Sequence, residues 1–135
     1  MRATFADTHY YLALLNPRDT DHARAVAVSV ALGGLVVTTE YVLIEVADAL
    51  ASPQDRPRFL ALVAALENDM IVEITPADSD LYRRGIDLYR RRSDKAWSLT
   101  DCISFVVMGD LGISDALTAD HHFRQAGFTT LLDDC

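Results

Sequence analysis

Short apolar runs alternate with longer helical stretches along the chain. Thr4-Phe5-Ala6 reads as a short buried strand that stops at Asp7, and Tyr10 to Leu15 as a helix halted before Asn16-Pro17. Asp21-His22-Ala23 opens a helix rich in alanine and valine that ends near Gly33-Gly34. Leu35 to Thr38 is a continuous run of the kind found in strands buried on both faces. Glu40 to Ala51 and Arg58 to Leu66 read as helices, separated by Ser52-Pro53. Met70 to Ile74 is a third strand, closed by Thr75-Pro76. Asp78 to Arg91 is an amphipathic helix, and Leu99 to Leu111, stopped by Gly112, is the most apolar helix. Ala116-Leu117-Thr118 is a short strand, Asp120 to Gln125 a short helix ended by Gly127, and Thr129 to Leu132 a last strand. Strands alternating with helices predict an α/β fold whose parallel sheet is covered on both faces. In such sheets the site lies at the carboxyl ends of the strands.

The chain has 135 residues, half of them hydrophobic, which suits a single domain over residues 1–135. Its longest apolar stretch, Val26 to Val37, is interrupted by Ser29 and falls short of the about 20 residues needed to span a bilayer. Residues 1–7 lack the apolar region of a signal peptide, so no membrane association and a cytoplasmic location are expected. Cys102 and Cys135 form no C-x-x-C pair, which excludes a cysteine-based zinc site; Cys102 is expected in the core. The formal net charge of −8 argues against a protein that coats nucleic acid. A nucleic-acid role therefore needs local positive charge and a task for the acids.

Several acids fall where a site is expected. Asp7 follows the first strand directly and Asp120 lies just past Ala116-Leu117-Thr118. Asp101 lies in the first turn of the apolar helix, and Glu45 within the helix after the second strand. Four carboxylates in one cleft repel one another, a conflict that a hard divalent cation removes. Each acid also has a purely structural reading. Asp7 and Asp120 suit helix caps, Asp101 suits a capping box with Ser98, and Glu45 suits a solvated helix face.

These segments resemble the PIN-domain nucleases, especially the toxin components of VapBC-type toxin–antitoxin pairs. Phe5-Ala6-Asp7-Thr8 with Leu12 to Leu15 is similar to the family's opening strand and helix, and Asp19, Asp21, His22 and Ala23 to its second-helix start. Thr38 to Val46 resembles the segment that carries the family's glutamate, and Ser98 to Phe105 the one with its central aspartate. Ala116 to Phe128 is the closest match, and the likeness runs over nearly the whole chain in register. The resemblance implies a three-layer α/β/α fold with a central, mostly parallel five-stranded sheet. It also implies an acidic pocket for Mg²⁺ or Mn²⁺, cleavage of single-stranded RNA and an antitoxin partner. Carried over by position, the metal-site acids are Asp7, Glu45, Asp101 and Asp120, with Thr118 supporting them; Asp115 is the chief rival to Asp120, but its place before the strand makes it less apt. Family likeness and the apolar helices imply a homodimer. An RNA-processing nuclease outside a toxin pair, or a silent binding module, is the alternative, although the intact acids oppose the latter. A phosphoacceptor domain on a similar sheet fits less well, because Asp7 is followed by Thr8 and His9 and the only lysine is Lys95.

Arg83, Arg84, Arg90, Arg91, Arg92 and Lys95 make up half of the basic residues and crowd just before Asp101. For Arg90 to Lys95 a phosphate-gripping rim is favoured; for Arg83 and Arg84, a solvated helix end. Adjacent His121 and His122 do not share a helix face and are expected as surface or capping residues. His9 lies near Asp7 without a catalytic role, and Trp97 is expected to pack beneath a loop rather than stack on a base.

Overall fold

The computed structural model describes residues 2–133; Cys135 lies outside them. Its strands are β1 (Thr4–Ala6), β2 (Val36–Thr39), β3 (Val72–Thr75), β4 (Asp115–Leu117) and β5 (Thr129–Thr130). Its helices are α1 (Thr8–Leu15), α2 (His22–Ala31), α3 (Glu40–Ala49), α4 (Arg56–Glu67), α5 (Ser79–Arg91), α6 (Leu99–Leu111) and α7 (His121–Gln125). The strands form one sheet in the order β3-β2-β1-β4-β5, and every pairing is parallel, as the alternation predicts, where the resemblance implies a mostly parallel sheet. Every residue of β1, β2 and β4 is buried, so helices cover both faces and the architecture is three-layered.

The chain runs outward from β1 to β3 on one side, then returns to place β4 and β5 on the other. The order therefore reverses between β1 and β4, and the crevice outside their carboxyl ends is the natural place for a site in an open parallel sheet. Register sets its contents. Ala6 pairs with Leu117, so Asp7 and Thr118 leave the sheet side by side.

Strand boundaries depart from the apolar pattern in several places: β2 sits one residue later than read, β5 ends at Thr130 rather than Leu132, and β3 and β4 shift too. β3 begins at Val72, because the Asp69 side chain accepts a hydrogen bond from the Ile71 amide (3.0 Å) and holds that stretch in a turn. Met70, read as strand, is fully exposed. β4 begins one residue early, at Asp115. Asp115 is buried at the amino end of the strand, paired with Arg2 at the opposite end of the sheet from Asp7, so it has no place in the crevice.

α6 is the central helix. It buries Cys102, Ile103, Phe105, Val107 and Met108 and turns into a left-handed Gly112 (φ 67°), where a side chain would be strained. Gly85 lets α5 lie close upon it, since a Cβ there would meet Ile103. Arg84 donates two hydrogen bonds to Asp110 (2.6 and 2.7 Å), tying α5 to α6, which gives it a structural task. Among the described residues, no helix is long and apolar enough to cross a membrane.

Candidate metal centre

Asp7 is the most deeply placed acid. Although it precedes α1, its side chain does not cap that helix; Oδ2 instead accepts a hydrogen bond from the Thr118 hydroxyl (3.0 Å). The residue is 4% exposed. Burial, then the nearby Asp101 carboxylate, pushes its pKa from the usual carboxylate range up to about 7, and Asp120 adds to the rise.

Asp101 is held at the start of α6 by a closed capping box. Its backbone N–H donates to Ser98 Oγ (3.0 Å), and its Oδ2 accepts from the Ser98 amide (3.1 Å). Burial, together with Asp120, raises its pKa. Asp120 caps α7 by accepting from the His122 amide (2.9 Å), while its own amide donates to Thr118 Oγ1 (3.1 Å). The capping readings of Asp101 and Asp120 thus hold alongside their place in the crevice. Capping occupies Oδ2 of Asp101 and Oδ1 of Asp120 and fixes both side chains. Glu45, on α3, reaches the same end of the sheet through Thr8, whose hydroxyl donates to its Oε1 (2.5 Å).

Thr118 links the cluster. One hydroxyl donates to Asp7 and accepts from the Asp120 amide. We expect Thr118→Val to leave that amide without its partner and to remove the only side-chain donor on Asp7 among the described residues. The loss should cost about 1–3 kcal/mol in a chemical melt and move the Asp7 pKa further upward by NMR titration. A variant as stable as the wild type, with an unmoved Asp7, would remove Thr118 from this role.

His122 is the residue that sequence reasoning placed wrongly. Its side chain is only 21% exposed, and its Nδ1 lies 3.2 Å from Asp101 Oδ2 and 3.4 Å from Asp120 Oδ1, between the two acids. His121 stays largely exposed, with Nδ1 3.8 Å from Asp120 Oδ1. The donor atoms of Asp120, His121 and His122 lie within 4.8 Å of one another, although the histidines are adjacent in sequence. The alternation argument fails because α7 has only 5 residues, so both rings fold back over its cap.

The other candidates lie outside the cluster. His9 Nε2 pairs with Asp21 Oδ2 (2.8 Å) and joins α1 to the start of α2. Trp97 is buried, packs edge-on against Phe105 and donates from Nε1 to Gln125 Oε1 (2.9 Å), so its ring is part of the core. Cys102 is fully buried, and burial raises its thiol pKa, leaving it unreactive. Arg90 and Arg91 share Asp87, and Arg92 and Lys95 share Asp94, so four cations face two acids and the rim keeps a positive surplus.

The donor set suits a divalent cation. Three carboxylates crowd one crevice, no lysine or arginine pairs with them among the described residues, and the deepest holds its proton to near neutrality. Oxygen donors of this kind suit a hard divalent cation.

This chain belongs to the PIN domain family, whose profile matches residues 4–129. It is similar to the 23S rRNA-specific endonuclease VapC20 of Mycobacterium tuberculosis, with 29% identity over 124 residues covering 92% of this chain and 94% of the relative. The crystal structure of that protein, described as a sarcin-ricin loop cleaving toxin, superposes with a TM-score of 0.84 at 28% identity, covering 93% of this chain and 96% of that one. FitAcB from Neisseria gonorrhoeae shares the fold, with a TM-score of 0.67 at 18% identity over 94% and 95% of the two chains.

Proposed function

We propose that this protein is a metal-dependent endoribonuclease, the toxin of a toxin–antitoxin pair, which hydrolyses single-stranded regions of RNA. The reading takes residues 1–135 as one catalytic domain acting in the cytoplasm, with Asp7, Glu45, Asp101 and Asp120 as its metal site. The observation that carries it is the convergence of Asp7, Asp101 and Asp120 in the crevice between β1 and β4, without a lysine or arginine among them in the described residues. A bound Mg²⁺ or Mn²⁺ would neutralise phosphate oxygens and lower the pKa of the attacking water.

The side chains divide the remaining work. Thr118 aims Asp7 and fixes the backbone of Asp120. The Ser98 box locks Asp101, and Thr8 orients Glu45. These neutral donors hold the carboxylates without bringing in positive charge that would compete with a cation. The surplus cations of Arg90 to Lys95 favour the RNA backbone and answer the objection from net charge. The likeness to VapC20 supports a ribosomal RNA loop as the first substrate to try.

An antitoxin tail that presents arginine or lysine fits the same acidic crevice and would displace the metal ion. Co-expression with the neighbouring reading frame should give a stable complex without nuclease activity, formed on a homodimer of this chain. Its affinity should fall as Mg²⁺ or salt rises. If the isolated protein fails to cut 23S rRNA with Mg²⁺ or Mn²⁺, the nuclease reading fails. If it cuts but co-purifies with no partner, an RNA-processing role outside a toxin pair replaces the toxin reading.

A further inference from the structure

Where α5 leads into α6 lies a cavity of about 600 Å³ lined by Ile86, Tyr89, Arg90, Ser93, Lys95, Ala96 and Trp97. We propose that it is a nucleotide subsite, which holds one unpaired base of the RNA next to the segment being cut. The inference rests on the nuclease reading above and adds where the substrate is gripped.

The size fits a nucleotide, since small-ligand sites run from roughly 300 to 1,000 Å³. The lining fits its chemistry in two parts. Ile86 and the buried Trp97 supply an apolar floor, and Tyr89, half-exposed at the end of α5, offers a ring face. Unpaired bases are held by stacking on such faces, and stacking tolerates any base. Arg90 and Lys95 stand on the rim, where a phosphate would lie. Each is only loosely paired, Arg90 with Asp87 at 3.8 Å and Lys95 with Asp94 at 4.0 Å, so both remain available to an anion. By contrast, Arg92 is held by Asp94 (3.0 Å) and lies over the Trp97 ring (5.0 Å), where it braces the wall.

The position links this cavity to the metal centre. Trp97 immediately precedes Ser98, which caps the helix carrying Asp101. Its indole N–H is bound by Gln125 at the end of α7, the helix that Asp120 caps. The cavity is therefore built on α5 and the α5–α6 connection, and Trp97 ties it to the helices that Asp101 and Asp120 begin. A strand of RNA with one base in the cavity has its backbone led toward Asp101 by Lys95. Double-stranded RNA cannot offer that base, which gives a physical source for single-strand preference.

The test uses an RNA hairpin with 2-aminopurine placed in turn at each loop position, bound in EDTA so that cleavage does not intervene. In wild type, one position should lose fluorescence on binding as the base stacks. Tyr89→Ala should abolish that loss and weaken binding by about ten-fold or more. Lys95→Gln should keep the quenching but lower the slope of log affinity against log salt by about one. If wild type and Tyr89→Ala bind with equal affinity and equal quenching, the subsite is overturned while the nuclease reading stands. Equal RNA affinity, with Tyr89→Ala shifted from dimer to monomer in sedimentation, would also overturn it, because the cavity would then be a contact between copies. If wild type binds no RNA at all, the nuclease reading falls and this inference with it.

Discussion

Asp7→Asn is expected to lower RNA cleavage by about two to three orders of magnitude, the range for removing one group from a preorganised electrostatic site. The same change should make the metal-free protein more stable at pH 8. Both effects follow from one carboxyl group. Ionised, Asp7 is buried beside Asp101 and Asp120, and the Thr8 amide and Thr118 hydroxyl offset only part of the cost, which a cation would remove. Asparagine keeps the volume and still accepts the Thr118 hydroxyl, but it carries no charge to bind a metal ion or to repel its neighbours. Cleavage assays and thermal melts in EDTA on one preparation check the pair. An inactive variant that melts below wild type at pH 8 would mean that Asp7 serves the fold rather than the site.

The metal-free wild type should lose stability as pH rises from 5 to 8. Asp7 titrates near 7 in the folded protein and near 4 in an unfolded chain, so the folded state binds more protons between those values. Raising the pH through that window therefore favours unfolding. Below about 4 the group is protonated in both states and the difference vanishes; above about 7 the penalty is complete. The move from about 4 to about 7 corresponds to about 4 kcal/mol in all, of which about 2–3 kcal/mol falls between pH 5 and 8, and Asp101, whose pKa is also raised, acts in the same direction. Melts in EDTA should show a fall of roughly 10 °C across the window. Saturating Mg²⁺ should restore most of it at pH 8, because binding to the folded state alone adds stability. The affinity for Mg²⁺ should rise over the same range, as the ion displaces the proton on Asp7. A melting temperature that is level or rises toward pH 8 without metal would contradict this account.

The elements of the sheet and the acids at its carboxyl edge were legible because both follow from short-range rules. A continuous apolar run marks a buried strand, and a charged residue directly after it, such as Asp7, must lie at the strand's end. The register of β1 against β4 then decides that Asp7 meets Thr118. What escaped the sequence depends on single side chains. The Asp69 turn, which delays β3, is one hydrogen bond that no apolar pattern encodes. Asp115, read as lying just before its strand, is that strand's first residue, and its pairing with Arg2 is likewise a side-chain contact outside any such pattern. His122 was misplaced because helical periodicity loses its meaning in a single-turn helix, where a cap residue and the two residues after it can converge. A histidine two residues after a capping aspartate was the available signal.

Mg²⁺-dependent cleavage of one loop-containing RNA by wild type and by Asp101→Asn tests the central claim most directly. Asparagine at this position still accepts the Ser98 amide, so α6 keeps its cap while the site loses a charge. The account predicts cleavage by wild type in Mg²⁺, none in EDTA, and a rate lower by about two orders of magnitude or more in Asp101→Asn at unchanged helix content. Wild-type rates in the variant, or cleavage that survives EDTA, would contradict it.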